Sequence, residues 1–200
     1  MTRAVGAICG ALFLSKAGLD LLVGQPPSDQ ARLPAWVDSH HLLLALTNET
    51  MALGAVLLIP LVLALYQRLG GATRPWVGFG CGALATAVPV ILVLAVVHGR
   101  LVYPVFGLEL DAPATVALTI SLYHGGAHLV SLLIGAALVV LGSAVRRPAA
   151  GAIAGVVAGT AQIIGAYPWI VGPVLTALTE ATFAVWLVII GRVVARPAAP

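Results

Sequence analysis

Long apolar runs follow one another along this chain, joined by connectors that hold most of its charges. The first run is Ala4 to Val23, stopped by Gly24-Gln25-Pro26-Pro27, because proline cannot continue a helix. A polar connector, Ser28 to Asp38, leads to Ser39 as the expected N-cap of the second run, His40 to Gln67, which carries Glu49 near its start and Pro60 inside. After the turn Arg68 to Arg74 comes the third run, Pro75 to His98, with Pro89 inside it. The connector Gly99 to Asp111 is half apolar and is expected on the membrane surface or folded over the bundle. Asp111-Ala112-Pro113 then starts the fourth run, Ala112 to Val145, with proline in its first turn. Ala149 to Gly191 holds one acid, Glu180, and is too long for one crossing, so a break at Gly172-Pro173 divides it into Ala149 to Val171 and Val174 to Val194.

A bilayer core is crossed by roughly 20 apolar residues. The pattern therefore predicts an all-α polytopic membrane bundle of six transmembrane helices, with residues 1–200 forming one integral membrane domain. Composition agrees: 60% of residues are hydrophobic and 8% charged, with a mean hydropathy of +1.07. A soluble globular domain is excluded, since charged residues there run near about 25%. Thr2-Arg3 before an apolar run resembles a signal peptide, but Lys16 and Asp20 interrupt it, and a retained first helix is expected. Cys9 and Cys81 lie in apolar runs and read as packing residues.

Charge orients the spans. With the N-terminus inside, Arg3, Arg68, Arg74, Arg146, Arg147, Arg192 and Arg196 are cytoplasmic, against Arg32 and Arg100 outside, the bias of the positive-inside rule. Asp29, Asp38, Glu109 and Asp111 then lie outside and both termini are cytoplasmic. The net charge of +3 is scattered over helix ends, which is no footprint for nucleic acid. The expected setting is a cell membrane, with the bilayer as partner and room for a homo-oligomer or a membrane complex.

The fourth run contains no Asp, Glu, Lys or Arg over 34 residues, yet carries His124 and His128 four apart, on one helical face. Counting about 1.5 Å per residue from the cytoplasmic arginines places Glu180, Lys16, Gln162, Asp20, His128, Glu49 and His124 between about 18 and about 33 Å up. All fall in the outer half of a core about 30 Å thick, or at its edge. Charges facing lipid there are costly, so these groups are expected to turn inward and line an outward-facing polar pocket, closed below by an apolar plug.

Each group also has a plain reading. Lys16 and Asp20 pair along one helix face, the histidines bond carbonyls or carboxylates in helix packing, and His40-His41 starts a helix. A proton or substrate relay would join the histidines to Glu49 or Glu180. A metal site would use His124 and His128 with carboxylates from facing helices, although H-x3-H lacks the glutamate of a zincin. A haem would need a second axial ligand such as His98 or His41. His128, the deeper of the two, is expected to meet Glu49 and Glu180. Trp36, Tyr103, Tyr167 and Trp169 read as interface aromatics on the outer side, and Trp76 on the inner. Gly6-x3-Gly10 and Gly151-x3-Gly155-x3-Gly159 form small-residue faces suited to close helix contact, within the chain or between chains.

Leu46-Thr47-Asn48-Glu49-Thr50 and Leu178-Thr179-Glu180-Ala181-Thr182 are short internal matches, each followed by an apolar run. The Asn48-Glu49-Thr50-Met51-Ala52 helix and a last helix carrying Gly172-Pro173, Glu180, Phe183, Trp186-Leu187 and Gly191 resemble a family of bacterial six-helix membrane proteins catalogued only as a domain of unknown function. The resemblance implies the fold and a bacterial inner membrane, and no activity. The leading expectation is a protein that binds or transports a small polar or lipid-like ligand, with Glu49, His124, His128, Glu180 and Gln162 as pocket groups and Lys16 and Asp20 beside them. The alternatives are a membrane enzyme or redox subunit with a His-ligated metal or haem, and an accessory subunit whose polar layer only locks the bundle.

Overall fold

The computed structural model describes residues 2–145 and 149–195, so Arg146, Arg147 and Arg196 lie outside the described residues. Among the described residues seven α-helices form: α1 (Thr2–Val23), α2 (Leu33–Ser39), α3 (His41–Leu69), α4 (Pro75–Gly99), α5 (Pro113–Ala144), α6 (Ala149–Gly165) and α7 (Pro168–Val194). Five of them, α1, α3, α4, α5 and α7, are long and apolar enough to cross a membrane, and α6 is a shorter apolar helix. Their most apolar windows are only 33% to 44% buried, leaving large side chains such as Leu63, Val93, Val96 and Ile153 on the outside of the bundle. Apolar surface that extensive is found where lipid or a partner covers it.

α1, α3, α4, α5, α6 and α7 pack as a ring in which each helix contacts its neighbour in sequence, and α7 closes against α1. Glycines set the closest approaches. A Cβ at Gly6 would come within 2.8 Å of the Gly191 Cα, and one at Gly155 within 2.6 Å of the Gly142 Cα. The predicted small-residue faces thus serve packing within the chain, at α1–α7 and α5–α6. The core at the arginine-bearing end is filled by Leu58, Leu61, Leu65, Leu84, Leu138, Leu141, Leu187 and Ile190. Cys9 and Cys81 are buried there, as free thiols.

Three boundaries depart from expectation. The polar connector after α1 contains a 3-10 turn, Gln30–Arg32, capped by Asp29, and then α2, whose Leu33 and Val37 join Val23, Leu44, Val102, Val116 and Ile120 in a second core cluster. A short amphipathic helix was hidden there because only two of its positions are strongly apolar and buried. Ser39 ends α2 and donates to the Trp36 carbonyl, so His40 occupies the N-cap of α3 with no side-chain cap bond. α6 stops at Gly165, six residues before the predicted Val171. Pro168 provides the reason: the residue before a proline avoids the helical region, and Tyr167 takes φ −116°, ψ 66°. Gly172-Pro173 is a kink inside α7, with Gly172 at φ 79°, ψ 169°.

The half-apolar connector after α4 both folds over the bundle and protrudes. Val102 is buried, while Val105 and Leu108 form an isolated bridge that displays Phe106. Arg100 braces this turn by donating to the carbonyls of Tyr103 and Leu108, each at 2.9 Å.

Candidate functional site

At the end of the ring that carries the α1–α2, α4–α5 and α6–α7 connectors, a cavity of about 690 Å³ opens between α1, α4, α5 and α7. Its floor is an ion cluster. Lys16, 7% exposed, donates to Asp20 Oδ2 at 2.6 Å and to Glu180 Oε1 and Oε2 at 2.8 and 3.0 Å. Asp20 lies one turn along α1 on the same face, and Glu180 reaches across from α7. The expected pair within α1 is therefore a three-group cluster that also ties the two ends of the chain together. Desolvating an ammonium is costly unless counter-charges and hydrogen bonds replace water, and here both do.

Phe13 and Phe183 stand three residues from Lys16 and Glu180 on the same helices, with ring centroids 5.1 Å apart edge to face. Trp186, fully buried, stacks on Phe183 at 6.4 Å. An apolar aromatic plug thus follows directly beneath the charged floor.

A second wall comes from α4 and α5. His98 is 3% exposed and lines the cavity, and its Nδ1 has no partner among the described residues. Its ring lies 4.6 Å from that of Tyr123, which is 5.3 Å from that of His124. Trp36 from α2 and Trp169 from the start of α7 complete the upper lining.

Of the expected pocket groups, Lys16, Asp20, Glu180 and His124 meet at this cavity, while His128, Gln162 and Glu49 do not line it. His128 Nδ1 donates to the Ala166 carbonyl at 2.7 Å, and its ring packs beside Tyr167 and Trp169 at 4.7 and 5.7 Å. The early end of α6 explains this, because it brings the α6–α7 turn down to the level of His128. Gln162 Nε2 donates to the Thr179 carbonyl at 2.8 Å and joins α6 to α7. Glu49 is exposed on α3 and accepts from the Tyr103 hydroxyl at 2.9 Å. Desolvation first, and that bond second, hold the Tyr103 phenol above its ordinary pKa.

Alignment of the two short matches contains the signal for Glu49. Setting Thr47 on Thr179 puts Glu180 opposite Asn48 and leaves Glu49 opposite Ala181. Thr47, Asn48 and Thr179 are all buried, so Glu49 is one position, about 100° of helix, away from the inward face. His98, named in the sequence only as a possible second haem ligand and not among the expected pocket groups, stands in the last turn of α4, beside Tyr123 of α5, and lines the cavity.

The two histidines considered as a metal pair have different surroundings, one cavity and one interhelical turn. Among the described residues, no group of three or more His, Cys, Asp or Glu side chains is placed to hold a metal ion. Compared with known protein families, with curated proteins and with solved structures, the chain matches none.

Proposed function

We propose that this chain is a six-span membrane protein with both termini cytoplasmic, and that its cavity opens to the external side to bind a small polar or lipid-like ligand. The observation that carries the reading is a chamber of about 690 Å³ with a charged floor, an unpartnered buried histidine and a closed aromatic base. Ligand sites of about 300–1,000 Å³, mostly apolar with a few convergent polar groups, are the usual form of small-molecule pockets.

α6 supports the sixth span. Its 17 residues rise about 26 Å, a little less than a hydrocarbon core of about 30 Å, and modest mismatch of this kind is tolerated at small cost. The segregation of charge supports the orientation. Asp29, Asp38, Glu109 and Asp111 belong to the connectors at the chamber end, whereas Arg3, Arg68, Arg74 and Arg192 cluster at the other.

The test is labelling of single cysteines in a Cys9→Ala, Cys81→Ala background with a membrane-impermeant maleimide on intact cells. Ser28→Cys, in the α1–α2 connector, is expected to react from outside, and Thr73→Cys, in the α3–α4 turn, only after permeabilisation. Ser131→Cys in the chamber lining is expected to react with a small external thiosulfonate. The opposite pattern at Ser28 and Thr73 overturns the orientation, and an inert Ser131→Cys overturns the external chamber.

A further inference from the structure

The free hydrogen-bonding capacity of the Lys16–Asp20–Glu180 cluster has one sign. An ammonium offers three donors, and all three of Lys16's are directed at carboxylate oxygens of Asp20 and Glu180. Ionised carboxylates only accept, at about four sites each. Asp20 Oδ1 takes no bond among the described residues. The Asp20 and Glu180 side chains remain 33% and 26% exposed after pairing. Two lining hydroxyls already donate elsewhere, Ser121 to the Ala117 carbonyl at 2.8 Å and Thr176 to the Gly172 carbonyl at 2.9 Å. Among the described residues, no arginine lines the cavity.

Charge has the same sign. Two carboxylates share one ammonium, so with both ionised and the imidazoles neutral the floor carries one uncompensated negative charge. Low-dielectric walls concentrate that field in a cleft. The buried, unpartnered His98 Nδ1 is an independent sign that a polar group belongs beside this floor, since buried polar atoms are rarely left unsatisfied. Aromatic faces supplied by Trp36, Trp169 and Tyr123 suit a cation as well. A bare divalent ion is disfavoured, because among the described residues no third His, Cys, Asp or Glu joins Asp20 and Glu180 in a metal-holding group.

We infer that the ligand of this chamber, on the binding reading proposed above, is an amphipathic organic cation: an ammonium head set against Asp20 and Glu180, with its apolar body between the tryptophans. An anion would find the Lys16 donors occupied and the net field repulsive.

Three probes of similar size and different charge test this on the full chain in lipid nanodiscs, by titration calorimetry: benzylammonium, benzyl alcohol and benzenesulfonate. Benzylammonium, whose three N–H groups can donate to the free carboxylate oxygens, is expected to bind saturably and at least tenfold more tightly than the other two. Asp20→Asn removes the excess charge and keeps the Lys16–Glu180 pair, so it is expected to weaken the cation at least tenfold while the thermal midpoint stays near that of the parent. Trp169→Leu, a change at an exposed wall position, is expected to weaken it as well. If the neutral or anionic probe binds as tightly as the cation, or Asp20→Asn leaves cation binding unchanged, the cation assignment falls and the chamber stands. If no probe of any charge binds, both readings fall.

Discussion

A lysine ammonium taken out of water needs its counter-charges in contact, and Lys16 has two, from two helices. Breaking such a cluster by removing one partner strands a buried charge, at a cost of about 3–5 kcal/mol. Glu180→Ala is therefore expected to lower stability by about that amount, read as a fall in the thermal unfolding midpoint in detergent. The pair Lys16→Met with Glu180→Gln is expected to cost less than the sum of the single changes, which a double-mutant cycle measures. The histidines separate by readout. His128→Ala removes the bond to the Ala166 carbonyl and is expected to lower the midpoint while cation binding is kept, and His124→Ala to weaken cation binding with little change in midpoint. If the two variants exchange phenotypes, the assignment of His124 to the chamber is wrong. Spacing put both histidines on one face, but residues four apart on a helix still differ by about 40° in direction. That angle suffices for one to meet a cavity and the other a turn.

Within α6 and α7 the chain relies on two glycines for unrelated reasons, and substitution tells them apart. Gly172 has open space around it but a positive φ that L side chains rarely adopt. Gly172→Ala is expected to cost about 1–3 kcal/mol from backbone strain alone. Gly155 has helical geometry but no room, its missing Cβ lying against the α5 backbone at Gly142. Gly155→Leu is expected to separate α5 from α6, with overpacking costs of about 1–3 kcal/mol or more, whereas Gly82→Ala, with nothing nearby, is expected to be silent. Midpoints of the three variants, compared by thermal melts, check both mechanisms. Composition marks Gly172-Pro173 as a break just as strongly as Tyr167-Pro168. Which of the two turns the chain depends on where α6 packs against α5, and that is not a local property.

Across the whole molecule, Arg3, Arg68, Arg74 and Arg192 at one end, against Arg32, Arg100 and the connector acids at the other, make orientation a collective property. Adding positive charge to the chamber end while removing it from the other, as in Ser28→Arg with Gln30→Arg and with Arg68→Gln and Arg74→Gln, is expected to produce a mixed-orientation population. The single-cysteine labels at Ser28 and Thr73, moved into equivalent neighbouring positions for this variant, would report it. Unchanged, uniform labelling would show that packing rather than charge sets the orientation.

The all-helical character, the long apolar helices and the polar groups gathered toward one end follow from the sequence alone. Each depends only on residue counts along a chain whose helical rise and transfer energies are nearly constant. Lys16, Asp20 and Glu180 were legible as costly charges in need of partners for the same reason. Their convergence with His124 and His98, the dispersal of Glu49, Gln162 and His128 to other contacts, and the real end of α6 were decided by tertiary packing. Azimuth around a helix shifts by about 100° for each residue of register, and register is set by which glycines and side chains interlock between helices. Depth is a sum along the chain, while facing is a product of contacts across it.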